Sequence, residues 1–381
     1  MNFNFTEEQQ EFRLVLRRFL EDKSPTTEVR RLMETDEGCD PEVWRQVCQD
    51  LGLTGVHIPE AYGGQGFGFV ELGIVLEEMG RALLCAPYFA STVLAATTIL
   101  NAGTEEQKVT YLPPIAAGDV IATLAFTEDN GRWDNEGVEM TATASGDGTS
   151  GDSYTLNGTK SFVLDGATAS QIVVLARKPG STGDVGLSLF MVAADADGLG
   201  RRKLKSMDPT RKLARLEFKN VSAALIGEEG GAAVPFARTI DQAAVCLANE
   251  MVGGADKLRE TAVDYTLLRV QFGRAIGSFQ AIKHKAADML LEVESAKSAA
   301  YYAAEALDDD TEDWPAVASL AKACASDTYM QTAIVTTQMH GGIGFTWDND
   351  THLWFKRAKS SEAFLGDSHH HRELMMQRWQ D

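Results

Sequence analysis

The sequence predicts an α+β chain in which a compact β domain stands between two helical ones, and three observations carry that reading. Apolar residues recur at helical spacing through residues 1–117, and short β-rich runs separated by Gly, Asp, Asn and Ser turns fill residues 119–227. The helical period then returns after GEEGG and holds to the end. This order argues against a doubly wound sheet, and no GxGxxG follows a strand, so a Rossmann fold is not expected. The expected domains are 1–118, 119–230 and 231–381.

In the first domain, FTEEQQEFRLVLRRFLED places apolar residues at helical spacing behind a Thr that can cap, with a carboxamide three positions on. PEVWRQVCQDLGL opens with a proline suited to a first helical turn and ends at a glycine. The loop IPEAYGGQGFG introduces the helix FVELGIVLEEMGRAL, and LPPIAAGD is expected to stop the last helix, because prolines cannot continue one. VIATLAF, YTLNGTKSFVLDG, SQIVVLAR, GLSLFMVAA and ARLEFKNV read as strands, while ATASGDGTSGDS is too small and polar to pack and reads as an exposed loop. In the third domain, AAVCLANEMVGGADKLRETAVDYTLLRVQF and AIKHKAADMLLEVESAKSAAYYAAEAL read as long helices, and DTYMQTAIVTTQMHGGIGF ends in glycines.

A hydrophobic content of 44% and a charged content of 24% are those of an ordinary globular protein. No apolar run approaches the ~20 residues of a membrane span, and MNFNFTEEQQEF lacks the pattern of a signal peptide, so cytoplasmic residence is expected. The net charge of −20 argues against nucleic acid or an anionic membrane as main partner, since both repel such a surface. A bound phosphate would therefore need local cations and backbone N–H groups. The five cysteines are scattered, without CxxC spacing, and read as reduced packing residues.

Four segments in order, AYGGQGFG at 61–68, LAFTE at 124–128, RVQFGRAIGSFQAIKHKAADM at 269–289 and QMHGGIGFTWDND at 338–350, together with the α–β–α plan, resemble the acyl-CoA dehydrogenase family over essentially the whole chain. The last two most resemble actinobacterial-type members acting on bulky or steroid-derived acyl-CoAs. The resemblance implies an N-terminal helical domain, a middle β-barrel or sandwich and a C-terminal four-helix bundle. It also implies an FAD enzyme that introduces a trans-2,3 double bond into an acyl-CoA thioester: a carboxylate removes the α-proton and the β-hydrogen leaves as hydride to flavin N5. An electron-transfer flavoprotein is the implied acceptor, and a homo-oligomer (dimer or tetramer) or a hetero-oligomer with a related chain the implied assembly.

Carried over residue by residue, the R-x-x-F-G motif that meets the FAD diphosphate across a subunit boundary becomes Arg269 and Phe272, followed by Ile276 and Gln280. A fixed guanidinium suits a diphosphate in so acidic a chain, because it can bind two oxygens at once. Gln338 and Gly342 match a Q-x-x-G-G motif at the neighbour's adenosine and diphosphate, and Phe126 and Thr127 match the strand beside the flavin ring. The family's W-I-T run becomes Phe162-Val163-Leu164, which keeps an aromatic face and loses a hydroxyl; Trp133 replaces a small hydroxyl residue.

The catalytic glutamate of a Y-E-G-T motif aligns with Leu365, and the alternative position on the first long C-terminal helix aligns with Ala243, so both are vacant. Glu250, two helical turns beyond Ala243 among apolar and small neighbours, is the candidate base, on the expectation of an isolated, desolvated carboxylate. A structural pairing of Glu250 with a basic residue, or a base supplied by Asp367 or by a partner chain, is the alternative. His369, His370 and His371 are consecutive and cannot share one metal from a helix, so no metal site is expected. Two functional readings result: a homo-oligomeric FAD-dependent acyl-CoA dehydrogenase using Glu250, or a half-site subunit of a hetero-oligomer that lacks its own base.

Overall fold

The computed structural model describes residues 5–145 and 153–380 and has the expected three-part plan of helices, a β domain and helices. The elements are α1 (Glu7–Lys23), α2 (Thr26–Met33), α3 (Pro41–Arg45), α4 (Phe69–Ala82), α5 (Thr97–Ala102), α6 (Glu105–Ala116), β1 (Ala122–Ala125), β2 (Thr141–Ala144), β3 (Ser153–Leu164), β4 (Gln171–Arg177), β5 (Leu187–Ala193), β6 (Leu199–Leu204) and β7 (Leu213–Ile226). There follow α7 (Ala233–Leu268), the short pair β8 (Val270–Gln271) and β9 (Arg274–Ala275), α8 (Gln280–Asp308), α9 (Trp314–His340), α10 (Thr351–Ala363) and α11 (Ser368–Gln380). They form two compact units, one of Met1–Arg31, Gly68–Leu84 and Asp241–Asp381, the other of Leu32–Phe67 and Cys85–Ile240.

Local chemistry accounts for the starts and stops. Thr6 and Gln9 form a reciprocal capping box at the head of α1, as their spacing predicts. Asp40 caps α3, whose helix passes into one π turn and ends at Gly52 in the left-handed region. The two prolines do not stop α6. Pro113 and Pro114 lie in its last turn, where their fixed φ is already helical and the Pro113 carbonyl takes the closing bond from the Ala117 N–H at 2.9 Å.

In the second unit, β4, β2, β3, β7 and β5 pair around a closed ring, because β5 returns to β4 along Gln171↔Ala193 to Arg177↔Leu187. β1 runs parallel beside β4, and β6 pairs with the first part of β7. Side chains that alternate inward, among them Met140, Leu156, Val174, Phe190, Leu216 and Phe218, fill the ring. β2 and β6 were not expected as strands. Ala142–Ala144 of the expected loop pair with β3, and residues 146–152 of that stretch lie outside the described residues.

In the helical unit, α4 and α7 approach closely at glycines: a Cβ on Gly80 would stand 2.0 Å from the Glu250 carbonyl, and one on Gly253 1.9 Å from that of Glu77. A core around Ala262, Met289, Val335 and Met339 joins α7, α8 and α9. RVQF does not extend α7 as its apolar period suggests. The chain instead turns at Phe272 and Gly273, both at positive φ (52° and 76°), into the β8–β9 hairpin. Among the described residues no helix is long and apolar enough to cross a membrane.

Candidate active site

The β unit carries one group of expected flavin residues. Phe126 and Thr127 leave β1 as a buried segment, and that segment is tied to β3. The Thr127 carbonyl accepts from the Ser161 N–H at 2.8 Å, and the Phe126 carbonyl from Lys160 Nζ at 3.1 Å. Lys160 is fully buried and also donates to Glu128 at 2.7 Å, while Glu128 takes the backbone N–H groups of Glu139 and Met140. Burial pushes the Lys160 ammonium down to about 8, an effect that the Glu128 carboxylate partly offsets. Immediately after this lock the β3–β7 register slips, and Phe162 sits at φ 58° with its ring 47% exposed. A bulge of this kind re-aims a side chain. Phe162 is thus an exposed aromatic at the irregularity between β3 and β7.

The helical unit carries the second group. Arg269 is the exposed residue just past α7, and its carbonyl accepts from the Ile276 N–H at 2.8 Å, which closes the hairpin. Phe272 at the turn is 91% exposed, half-buried Ile276 lies in the short turn that follows, and exposed Gln280 begins α8. Gln338, on the last turn of α9, accepts from Lys285 Nζ at 3.0 Å. The Tyr265 ring stacks on His340 at 4.1 Å, which joins the end of α7 to the end of α9. A Cβ on Gly341 or Gly342 would meet nothing within 4 Å, so the backbone there is open. The fold therefore brings Arg269, Phe272, Ile276 and Gln280 to the same end of the bundle as Gln338 and Gly342, and adds Lys285.

This donor set fits a flavin dinucleotide. Arg269 and Lys285 supply two cations, and the open glycine turn lets a diphosphate approach peptide N–H groups. Lys285 lies within AIKHKAADM, but no motif position marks it as a cofactor contact.

The corner expected to hold a catalytic glutamate is built differently. Leu365 lies at φ 61° and is 1% exposed, so its side chain packs inside the bundle. The Leu365 carbonyl faces His371 Nε2 at 2.8 Å, and the Gly366 carbonyl accepts from Lys322 Nζ at 2.9 Å. Lys322 is fully buried and also donates to Ser326. Burial, reinforced by the Lys322 cation, pushes His371 down to about 3, so it is neutral and its Nε2 donates. Asp367 takes the His370 N–H at 2.8 Å, and His369 and His370 are exposed. The His370 and His371 rings meet edge to face at 5.4 Å, and among the described residues no group of three or more His, Cys, Asp or Glu able to hold a metal ion is found.

Glu250 is buried, but the expected isolation is not found. Arg357 Nη1 on α10 donates to its Oε1 at 2.8 Å, with both side chains under a tenth exposed. The apolar neighbours that suggested a desolvated carboxylate are real; the sequence gives no sign of a guanidinium arriving from 107 residues away. Ala243 is fully buried.

Comparisons with known proteins agree with this architecture. Family models described as the N-terminal, middle and C-terminal domains of acyl-CoA dehydrogenase match residues 6–119, 123–221 and 230–380. The chain is 31% identical over 337 residues to the acyl-CoA dehydrogenase IpdE2 of Mycobacterium tuberculosis, covering 88% of this chain and 86% of that protein. The butyryl-CoA dehydrogenase structure from Megasphaera elsdenii superposes with a TM-score of 0.93 at 28% identity, covering both chains fully. A chain of the ChsE4-ChsE5 complex from Mycobacterium tuberculosis superposes with a TM-score of 0.88 at 26% identity, covering 100% of this chain and 99% of that one.

Proposed function

Because the chain belongs to the acyl-CoA dehydrogenase family of FAD-dependent oxidoreductases, we propose that it is one of two kinds of subunit in a hetero-oligomeric acyl-CoA dehydrogenase, with the α-proton acceptor supplied by a related partner chain. One observation carries this reading. The candidate carboxylate of α7, Glu250, is held in a buried ion pair with Arg357, while the two usual positions are the buried apolar residues Leu365 and Ala243. A carboxylate committed to a buried guanidinium cannot turn to a substrate without leaving that charge uncompensated, which is the opposite of what a general base needs.

FAD, when bound, supplies the acceptor for the β-hydrogen as hydride. Arg269 and Lys285 would neutralise its diphosphate, Gly341 and Gly342 would let it approach the backbone, and Phe162, Phe126 and Thr127 belong to the part of the β unit suited to a flavin ring. Gln338, Phe272, Ile276 and Gln280 complete the contact surface. Exposed Phe272, Phe345, Leu268 and Leu291 support a subunit boundary on this side of the bundle, since a lone soluble chain rarely leaves so much apolar surface open. The substrate reading is a bulky, branched or ring-bearing acyl-CoA of lipid or steroid catabolism. An electron-transfer flavoprotein is the acceptor, and the assembly is a cytoplasmic tetramer.

Purification under mild conditions tests this. A related, non-identical chain should co-purify with about half a flavin per subunit, and Glu250→Gln should leave turnover within about twofold. A homo-oligomer with one flavin per subunit, in which Glu250→Gln removes more than ~100-fold of the turnover that general-base catalysis supplies, would instead assign Glu250 as the base.

A further inference from the structure

The loop that joins α9 to α10 begins at the open glycine turn and leaves Ile343, Phe345 and Trp347 exposed. A Cβ on Gly341 or Gly342 would meet nothing, so packing does not fix the turn there. It is held at its two ends instead. His340 anchors the first, stacked on Tyr265 at 4.1 Å with its Nδ1 2.8 Å from the Thr336 carbonyl. The second end is anchored from far away in the sequence: Arg30 of α2 reaches the loop from 317 positions before Trp347.

Arg30 Nε donates to Asp350 Oδ1 at 2.7 Å, and Nη2 to the carbonyls of Trp347 at 2.7 Å and Asn349 at 3.2 Å. Nη2 also stands 3.3 Å from His352 Nε2. A guanidinium nitrogen only donates, so that imidazole nitrogen carries no proton. Burial, with the Lys356 and Arg30 cations, holds His352 below the usual imidazole range and so keeps it neutral. The partly exposed charge pair would be worth little alone. The fork is what matters: one planar group fixes two main-chain carbonyls and a carboxylate of the same loop, which a single ammonium cannot reproduce. Short bonds carry this constraint back to the turn. Thr346 donates to the Ile343 carbonyl from its N–H at 3.0 Å and its hydroxyl at 2.8 Å, and the Thr351 hydroxyl donates to the Gly344 carbonyl at 3.4 Å.

We propose that Arg30 is a positioning residue for the flavin dinucleotide: it holds the α9–α10 loop so that the open backbone at Gly341 and Gly342 is already shaped for the diphosphate. This rests on the flavin reading above and adds a residue that acts through the loop rather than on the cofactor. Without Arg30 the loop must be ordered at the moment of binding, and that ordering is subtracted from cofactor affinity.

Wild type, Arg30→Met and Arg30→Lys are compared as assembled proteins by two measurements. One is FAD release on dilution. The other, at saturating FAD so that occupancy is equal, is amide hydrogen exchange at Thr346, Asn349 and Thr351, with β4 and β5 of the other unit as reference. Arg30→Met should weaken FAD retention by about tenfold, as loss of a hydrogen bond to a charged group does, with faster exchange in the loop and unchanged exchange in the reference strands. Arg30→Lys keeps the Asp350 pair, loses the second arm and should fall between. Wild-type retention in Arg30→Met, or weaker retention without faster loop exchange, overturns the positioning role. Faster exchange in β4 and β5 as well overturns it too, because it marks Arg30 as a residue of general stability. Should Arg30→Met not fold, Arg30→Lys decides alone, and wild-type retention in it overturns the proposal. A wild type that holds no FAD fails the flavin reading itself and this role with it, an outcome distinct from a wild type that holds FAD no better than Arg30→Met.

Discussion

Acid should loosen the rebuilt corner through one histidine. In the folded chain His371 stays neutral down to about 3, whereas an unfolded imidazole takes a proton near 6.5. Between these values the unfolded state binds more protons, so stability is full above about pH 6.5 and is lost as pH falls toward 3. The geometry supplies the reason. Nε2 already donates to the Leu365 carbonyl, so a second proton must go on Nδ1, which is buried without a partner, beside the Lys322 ammonium. Linkage with these two values gives a loss of about 2 kcal/mol between pH 7.5 and pH 5. With a urea m-value of about 3 kcal/mol/M, the midpoint should fall by about 0.7 M.

The assay compares wild type with His371→Gln across that range in urea. Glutamine can still donate to the Leu365 carbonyl but cannot titrate. Two other buried groups contribute in both proteins and cancel in the difference. His57, which burial pushes down to about 4, acts in the same sense as His371. Asp241, which burial pushes up to about 6, acts in the opposite sense: its folded form holds the proton more tightly, so it stabilises as pH falls from 6. Equal pH slopes for wild type and His371→Gln would refute the reasoning, because they would place the titrating group elsewhere.

Other expectations follow from single contacts. Lys160→Met takes the cation from buried Glu128 and should cost about 3 kcal/mol of urea stability, as breaking a buried pair does; Glu128→Gln in the same chain should recover part of it. Arg269→Gln should weaken FAD retention by about 10- to 100-fold, the effect of one charge-assisted pair on a phosphate, measured from flavin fluorescence released on dilution. Phe272→Asp with Phe345→Asp should shift the assembly toward smaller species in sedimentation velocity while leaving helix content unchanged, since both rings are about nine-tenths exposed in the single chain.

The layout was legible where one local signal decides the structure. The Thr6–Gln9 box, the β-rich texture of 119–227 and the glycines after QMH each act within a few residues, and the fold obeys them. Errors came where a local rule met a competing one. The helical period of LLRVQF gives way to a turn that needs positive φ at Phe272, a residue without the usual preference for it. The prolines of LPPIA break nothing, because they sit where the helix is ending anyway. β6, with its charged Arg201, Arg202 and Lys203, lacks the apolar alternation that marks a strand and is held by the ladder to β7.

The site shows the same division more sharply. Residues that meet a cofactor can be read from a motif, because the ligand fixes their spacing along one stretch of chain. Residues that decide whether a carboxylate is free to act cannot, because they depend on which partners the fold brings near. Glu250 and Arg357 are 107 positions apart. Lys160 and Lys322, both fully buried, look like surface lysines in sequence, since lysine is rarely buried without a partner. The Leu365 corner follows from this. Loss of a carboxylate is visible as a letter, but its replacement by a packed leucine, a neutral histidine and a lysine on two backbone carbonyls is not. Once built, that joint resists reversal: Leu365→Glu would bury a new carboxylate inside the bundle, at a cost of several kcal/mol unless Lys322 left its carbonyls to pair with it. Restoring the letter alone therefore would not restore a base.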